Sequence, residues 1–313
     1  MTAALDDPEI RQALETRDVS VIHGDAPVSE ASVRFWCGVM GDHNPAYLDE
    51  AAAIEAGHGG VIAPPVMIHG YTLPTLLSPE IDSPSKRLRE RFGELGYPGV
   101  VAVNYEQDYF APIRIGDRLR RETVLDSISG EKATALGRGH FVTRRYKVIN
   151  QNDILVGQMM VRTYYFRADG GKPRGKSAPA PQSSESAGIR IPPVEIPITA
   201  TLVACGAIAT NDFETVHHDR KVAQEQGMQD IFMNILTSSG LVCRYITDWA
   251  GPQTVFKRLA VRLFLPNFPG DTMTLEGLAD RPKTPGEDAA IHVIGTNTSG
   301  RHIDAEVTVT WPQ

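Results

Sequence analysis

Apolar residues along the chain fall into two kinds of pattern, and each kind occurs twice. Two long runs, Val66 to Leu77 and Ile231 to Trp249, carry few charges. In the second run Leu241, Val242, Tyr245, Ile246 and Trp249 recur at helical spacing, which predicts a helix with a buried face. Ser238, Ser239 and Gly240 precede them and suit a helix start that another group approaches closely. Alternating segments rich in β-branched residues follow each run. They are Val100 to Tyr105 and Met159 to Phe166 in the first half, and Leu259 to Phe264 and Ala305 to Trp311 in the second. Such alternation predicts strands that pack on one face.

The doubling extends to identities. Asp42 pairs with Asp212, Asp49 with Asp219, Ala53 with Ala223, Glu55 with Glu225, Gly57 with Gly227 and Gly70 with Gly240, all 170 positions apart. In that register Tyr47 lies opposite His217. A second set, Phe110 with Phe264, Pro112 with Pro266, Gly116 with Gly270, Asp117 with Asp271 and Glu122 with Glu276, is 154 apart. The difference gives the first half 16 extra residues, which the Pro-, Gly- and charge-rich stretch Ser78 to Gly99 can hold. Between the halves, Ala168 to Pro197 is rich in Gly, Pro, Ser and Ala and reads as a linker. The expected organisation is a domain over 1–167, a linker over 168–197 and a second domain over 198–313. One central helix followed by antiparallel strands in each half predicts an α+β fold. Joining the two sheets edge to edge would cover the strand edge that each half otherwise presents.

Composition narrows the function classes. A net charge of −7 and a pI near 5.7 offer no basic face for nucleic acid. The run Lys86-Arg87-Leu88-Arg89-Glu90-Arg91 is short and interrupted, and reads as a solvated face. Three cysteines, Cys37, Cys205 and Cys243, without metal-ligand spacing fit a reducing compartment. No basic segment precedes an apolar run at the N-terminus, and no stretch has the length of a membrane span. The expectation is a soluble cytoplasmic protein.

Candidate chemistry sits in the repeated loops. The first reads Asp42-His43-Asn44-Pro45-Ala46-Tyr47, the second Asp212-Phe213-Glu214-Thr215-Val216-His217. Both loops resemble the Asp-x-Asn-Pro-x-His loop of the MaoC-like hydratases, a family with the hot-dog fold that hydrates trans-2-enoyl-CoA to (3R)-3-hydroxyacyl-CoA. The Pro-x-x-x-Gly-Asp turns at Pro112 to Asp117 and Pro266 to Asp271 are also common in hot-dog acyl-CoA enzymes. The resemblance implies a double hot-dog, each half a central helix wrapped by an antiparallel sheet. Its degenerate N-terminal half would accommodate the acyl chain, and its C-terminal half would carry the chemistry. That second half is similar to the catalytic subunit of bacterial steroid side-chain hydratases, which implies a bulky steroid-type acyl group.

Adding water across an enoyl thioester needs a base for the water and an acid for C2, and His titrates near working pH. Asp212 and His217 are the candidate pair, and either can take the first proton. The resemblance also implies an enolate-holding backbone N–H at the start of the central helix. His69-Gly70 matches that helix-start His-Gly in the first half, and the register transfers the role to Gly240. Tyr47 and Ser239 are candidate pocket residues. No cofactor is expected beyond the CoA of the substrate. No metal is expected either, since the neighbours His217 and His218 do not converge on one ligand point. Asp49 and Asp219 read as helix caps, and Lys257, Arg258 and Arg262 as candidates for CoA phosphates. The expected partners are an acyl-CoA thioester and a second copy in a homodimer, with no nucleic acid and no membrane. Glu214, Thr215 and Ser239 depart from the family pattern. Two rivals follow, a hot-dog thioesterase and a non-catalytic acyl-CoA-binding subunit.

Overall fold

The computed structural model describes residues 4–76, 78, 82–134, 136–167, 188–280 and 286–310. Its strands are β1 (Ser20–His23), β2 (Gly99–Tyr109), β3 (Arg120–Ile128), β4 (Lys132–Thr134), β5 (Gly137–Ile149), β6 (Leu155–Arg167), β7 (Ile189–Pro197), β8 (Val255–Leu263), β9 (Thr272–Ala279), β10 (Asp288–Asn297) and β11 (Gly300–Thr310). All belong to one antiparallel sheet in the order β1-β3-β5-β6-β2-β8-β11-β10-β9-β7, with β4 on β5. The halves meet at β2 and β8, where Asn104 to Asp108 pair with Arg262 to Arg258. Across this seam Arg258 reaches Asp108 at 2.7 Å and also bonds Glu106. The edge-to-edge junction is therefore as expected. Arg258 is committed to it and is not free to meet a CoA phosphate.

The helices are α1 (Pro8–Thr16), α2 (Glu30–Met40), α3 (Pro45–Leu48), α4 (Glu50–Glu55), α5 (Pro84–Glu94), α6 (Ala200–Ala209), α7 (Arg220–Glu225) and α8 (Ile235–Ala250). Helix α8 is the central helix of the second half, and Leu241, Val242 and Ile246 on it are fully buried. The inward residues of the neighbouring strands, among them Leu259, Val261, Ile291, Val293, Ala305 and Val307, belong to the same core.

The first half departs from the expected plan. Its counterpart of α8 is two short 3-10 turns, Pro65–Ile68 and Gly70–Thr72. Pro74 supplies the reason. A proline inside a helix has no N–H to donate and forces the preceding residue out of helical backbone. Leu73 is indeed extended, at φ −76° and ψ 144°. No proline interrupts Ile231 to Ala250 in the second half.

The 16 surplus residues are not only a loop, because they contain α5. The basic run lies on this helix, with Leu88 and Phe92 turned into a cluster with Ile10, Tyr97, Val142 and Tyr165. The linker expectation also changes. Residues 168–187 lie outside the described residues, but Ile189–Pro197 is a strand paired with β9, so the second half begins earlier than position 198. Trp311 of the last expected strand lies outside the described residues.

Candidate active site

The two loops of the repeat fold alike. Asp42 Oδ1 accepts the N–H of Asn44 at 2.9 Å, and Asp212 Oδ1 accepts that of Glu214 at 3.4 Å. Asp49 caps α4 through the Ala52 N–H, and Asp219 caps α7 through Lys221 and Val222. What differs is where the sixth residue of each loop goes. Tyr47 is buried in the core that the two halves share. His217 faces a cavity of about 510 Å³, which Asp212, Glu214 and Val216 also line.

His217 Nε2 stands 3.6 Å from Asp212 Oδ2, with side chains 10% and 17% exposed. His217 Nδ1 is 2.7 Å from the Phe232 carbonyl, which can only accept, so Nδ1 carries the proton of the neutral ring. Nε2 then holds a lone pair beside a carboxylate. A molecule with two O–H groups, such as water, can donate one to each of two such acceptors. Asp212 is fixed by Asn234, whose Nδ2 donates to Asp212 Oδ2 at 2.9 Å and to Thr210 Oγ1 at 2.9 Å. The other end of the same amide caps α8, with Oδ1 accepting the Thr237 N–H at 2.8 Å.

Asn234 thus marks the helix start, and the expectation for Ser238 to Gly240 is corrected. Gly240 lies in the second turn, where helical backbone commits its N–H to the carbonyl four residues back. A Cβ there would meet Trp36 at 2.9 Å and Met40 Sδ at 3.3 Å, so its bare side packs against α2. Ser239 is fully buried and donates to the Ile235 carbonyl at 2.7 Å. The structure brings Asp212 and His217 together. Tyr47, Ser239 and Gly240 do not line the cavity. The first residues of α8 do: Ile235 and Leu236 line it, and no hydrogen bond among the described residues uses their N–H groups. A helix start favours negative charge at such groups.

Glu214, the departure from Asn in the loop pattern, has a structural role. Arg89 on α5 pairs with it through both guanidinium branches, Nη1 to Oε1 at 2.5 Å and Nη2 to Oε2 at 3.0 Å. Burial favours the neutral acid, but Arg89 outweighs it and holds the Glu214 carboxyl below its usual range. The insertion in the first half and the altered loop in the second are therefore partners, both at the cavity wall. His218 is directed away, with Nε2 3.4 Å from the Phe213 carbonyl. Among the described residues no cluster of His, Cys, Asp or Glu could hold a metal ion. Sequence reasoning missed Arg121 and Arg144, named His69 only as a helix-start match in the first half, and gave Asn234 no role; all four line the cavity. For Asn234 the signal was present, an Asn directly before a long apolar run.

Comparisons with known proteins agree with this picture. A family model described as FAS1-like, dehydratase domain region, matches residues 18–159. The 3-oxo-4,17-pregnadiene-20-carboxyl-CoA hydratase beta subunit of Mycobacterium tuberculosis is 42% identical over 125 residues, 39% of this chain and 94% of that protein. The alpha subunit of the same organism's hydratase is 37% identical over 146 residues, 46% of each chain, so less than half of its length is matched. A solved MaoC-like dehydratase superposes over 96% of this chain and 100% of its own, with a TM-score of 0.71 and 19% identity. The expected double hot-dog is thus the observed fold, with the central helix cut short in the first half.

Proposed function

The chain belongs to the MaoC-like enoyl-CoA hydratase family, and from that premise we propose that it hydrates a trans-2-enoyl-CoA with a bulky, steroid-type acyl group to the 3-hydroxyacyl-CoA. The observation that carries the reading is the His217–Asp212 pair, with Nδ1 2.7 Å from the Phe232 carbonyl and Nε2 3.6 Å from the carboxylate, at the wall of a large cavity. A water held between them donates one O–H to each. His217 Nε2 takes a proton as the oxygen attacks C3, and the protonated pair returns a proton to C2. The N–H groups of Ile235 and Leu236 hold the thioester oxygen as it gains charge. The chemistry draws on side chains and on the CoA of the substrate, without a further cofactor.

The bulk of the acyl group is supported by the interrupted helix of the first half. His69, Leu73 and Pro74, where that helix stops, are part of the cavity wall. The matches to the pregnadiene-carboxyl-CoA hydratase subunits support the steroid class. No helix among the described residues is long and apolar enough to cross a membrane. A cytoplasmic location and a homodimer of such chains complete the proposal; unpaired Cys37, Cys205 and Cys243 support the first.

Loss of enoyl-thioester absorbance tests the reading, on a panel from crotonyl-CoA to a steroid side-chain enoyl-CoA, with wild type and His217→Ala. Turnover of the bulky thioester that collapses in the variant is the expected result. Wild type that turns over nothing, or that releases free CoA to a thiol reagent instead, would overturn it.

A further inference from the structure

The inward face of the first-half sheet is not apolar throughout. Where a hot-dog sheet ordinarily meets its helix, β3 presents Arg121 and Thr123, and β5 presents Arg144 and Tyr146, all on the cavity wall. The register places Thr123 opposite Tyr146, and the two-residue alternation puts each arginine on that same face. Both arginines are 6% exposed. Neither forms an ion pair among the described residues. Arg144 donates to the Tyr165 hydroxyl at 3.2 Å and stands over that ring. Arg121 stands over the Tyr146 ring at 5.2 Å, and its Nε and Nη1 have no hydrogen-bond partner among the described residues. Thr123 Oγ1 and His69 Nδ1 beside them are unpartnered as well.

Two buried guanidinium groups without an anion among the described residues are a costly arrangement. A buried charge is normally paired, and each arginine here repels the other. A neutral carbonyl would satisfy donors but leave both charges uncompensated. A carboxylate supplies acceptors and charge together, and guanidinium is the side chain that matches it best. Position in the sheet says which part of a ligand is met. Strand β3 lies three strands from β2 at the seam, roughly 14 Å at the usual interstrand spacing, whereas His217 comes from the other half.

Resting on the hydratase reading, we propose that the acyl group taken by this cavity carries a carboxylate at the end remote from the thioester, and that Arg121 and Arg144 bind it. The substrate class is then an enoyl-CoA that is a second acid at its far end, the kind of group an oxidative ring opening leaves on a polycyclic skeleton.

The probes are trans-2-enedioyl-CoA thioesters over a ladder of tail lengths and the same thioesters with the remote carboxylate as a methyl ester. Affinities are measured by calorimetry on the His217→Ala protein, which separates binding from turnover. The acid is expected to bind about tenfold to a hundredfold more tightly than the ester at the best length, and Arg121→Met to erase that preference. In the ligand-free protein Arg121→Met should raise Tm, because an uncompensated buried charge is removed; an arginine serving only structure would lower it. Equal affinity for acid and ester at every length would overturn the proposal. So would a loss in Arg121→Met that is the same for both, since the arginines would then be holding the CoA portion. Hydration of crotonyl-CoA by wild type reports separately on the hydratase reading.

Discussion

The two halves repeat one loop and one sheet, and they differ at two places that matter together. In the second half Asn234 caps a helix of 16 residues and holds Asp212 beside His217. In the first half the equivalent position is Pro64, the helix stops before Pro74, and Tyr47 is turned into the core. One half has kept the cap that holds Asp212 beside His217, and the other has two short 3-10 turns where the central helix would run. The cavity that His217 and Asp212 line is also walled by His69, Leu73 and Pro74, where the first-half helix stops.

Exchanging the two loop residues breaks the comparison most sharply. His217→Tyr, which makes the second loop resemble the first, should lower kcat/KM by about a hundredfold to ten-thousandfold, measured on whichever enoyl-CoA wild type turns over. Tyr47→His should neither rescue that loss nor add activity, because position 47 faces the core and not the cavity. A gain from Tyr47→His would mean that the first loop also reaches substrate.

The two loop aspartates give the next contrast. Burial raises the Asp42 carboxyl from 3.8 to about 6, partly offset by the Asn44 N–H. Between those values the folded state binds the proton that the unfolded state has released, so stability falls as pH rises through the window. Asp42→Asn keeps the acceptor for the Asn44 N–H and removes the charge. Above about pH 6 it should stabilise the protein by up to about 3 kcal/mol, and urea midpoints from pH 4 to 7 should lose their downward slope. A smaller effect belongs to Asn234→Ala, which removes the helix cap and the donor to Asp212 at once. A loss of about 1 kcal/mol in stability should accompany roughly a tenfold fall in kcat, and an unchanged kcat would detach Asn234 from the site.

What could be read in the chain follows from which interactions are local. The aspartate caps, the loop pair and the strand pattern depend on neighbours a few residues away, and Asp49, Asp219, Asp212 and His217 stand where the sequence places them. The halted first helix was also written locally, in Pro74, although the apolar run Val66 to Leu77 reads as continuous. The start of α8 was misread because Ser238 and Ser239 look like caps, while their hydroxyls bond helix carbonyls at Asn234 and Ile235. Arg121 and Arg144 were not legible. Alternation puts each on one face of its strand, but only the tertiary fold makes that face the inner one. The pairing of Arg89 with Glu214 joins residues 125 positions apart, beyond any local signal.

Gly240 offers the finest cut between a packing glycine and one that serves the chemistry. Its counterpart Gly70 is closely approached as well, by backbone, with a Cβ there meeting the Thr210 carbonyl at 2.7 Å. Both positions thus need a bare backbone, for different neighbours. At Gly240 the obstacles are Trp36 Cζ2 and Met40 Sδ on α2. The methionine can yield where the indole cannot. Gly240→Ala should therefore cost about 1–2 kcal/mol by overpacking, offset in part by the better helix propensity of alanine. Because the N–H at 240 stays inside the helix, KM and kcat should remain within about twofold of wild type. Were Gly240 instead the donor to the thioester oxygen, the added methyl would crowd the reacting atoms and kcat would fall with little change in stability. Thermal unfolding and steady-state kinetics on this one variant distinguish the two roles, since each predicts a change in the quantity that the other leaves alone.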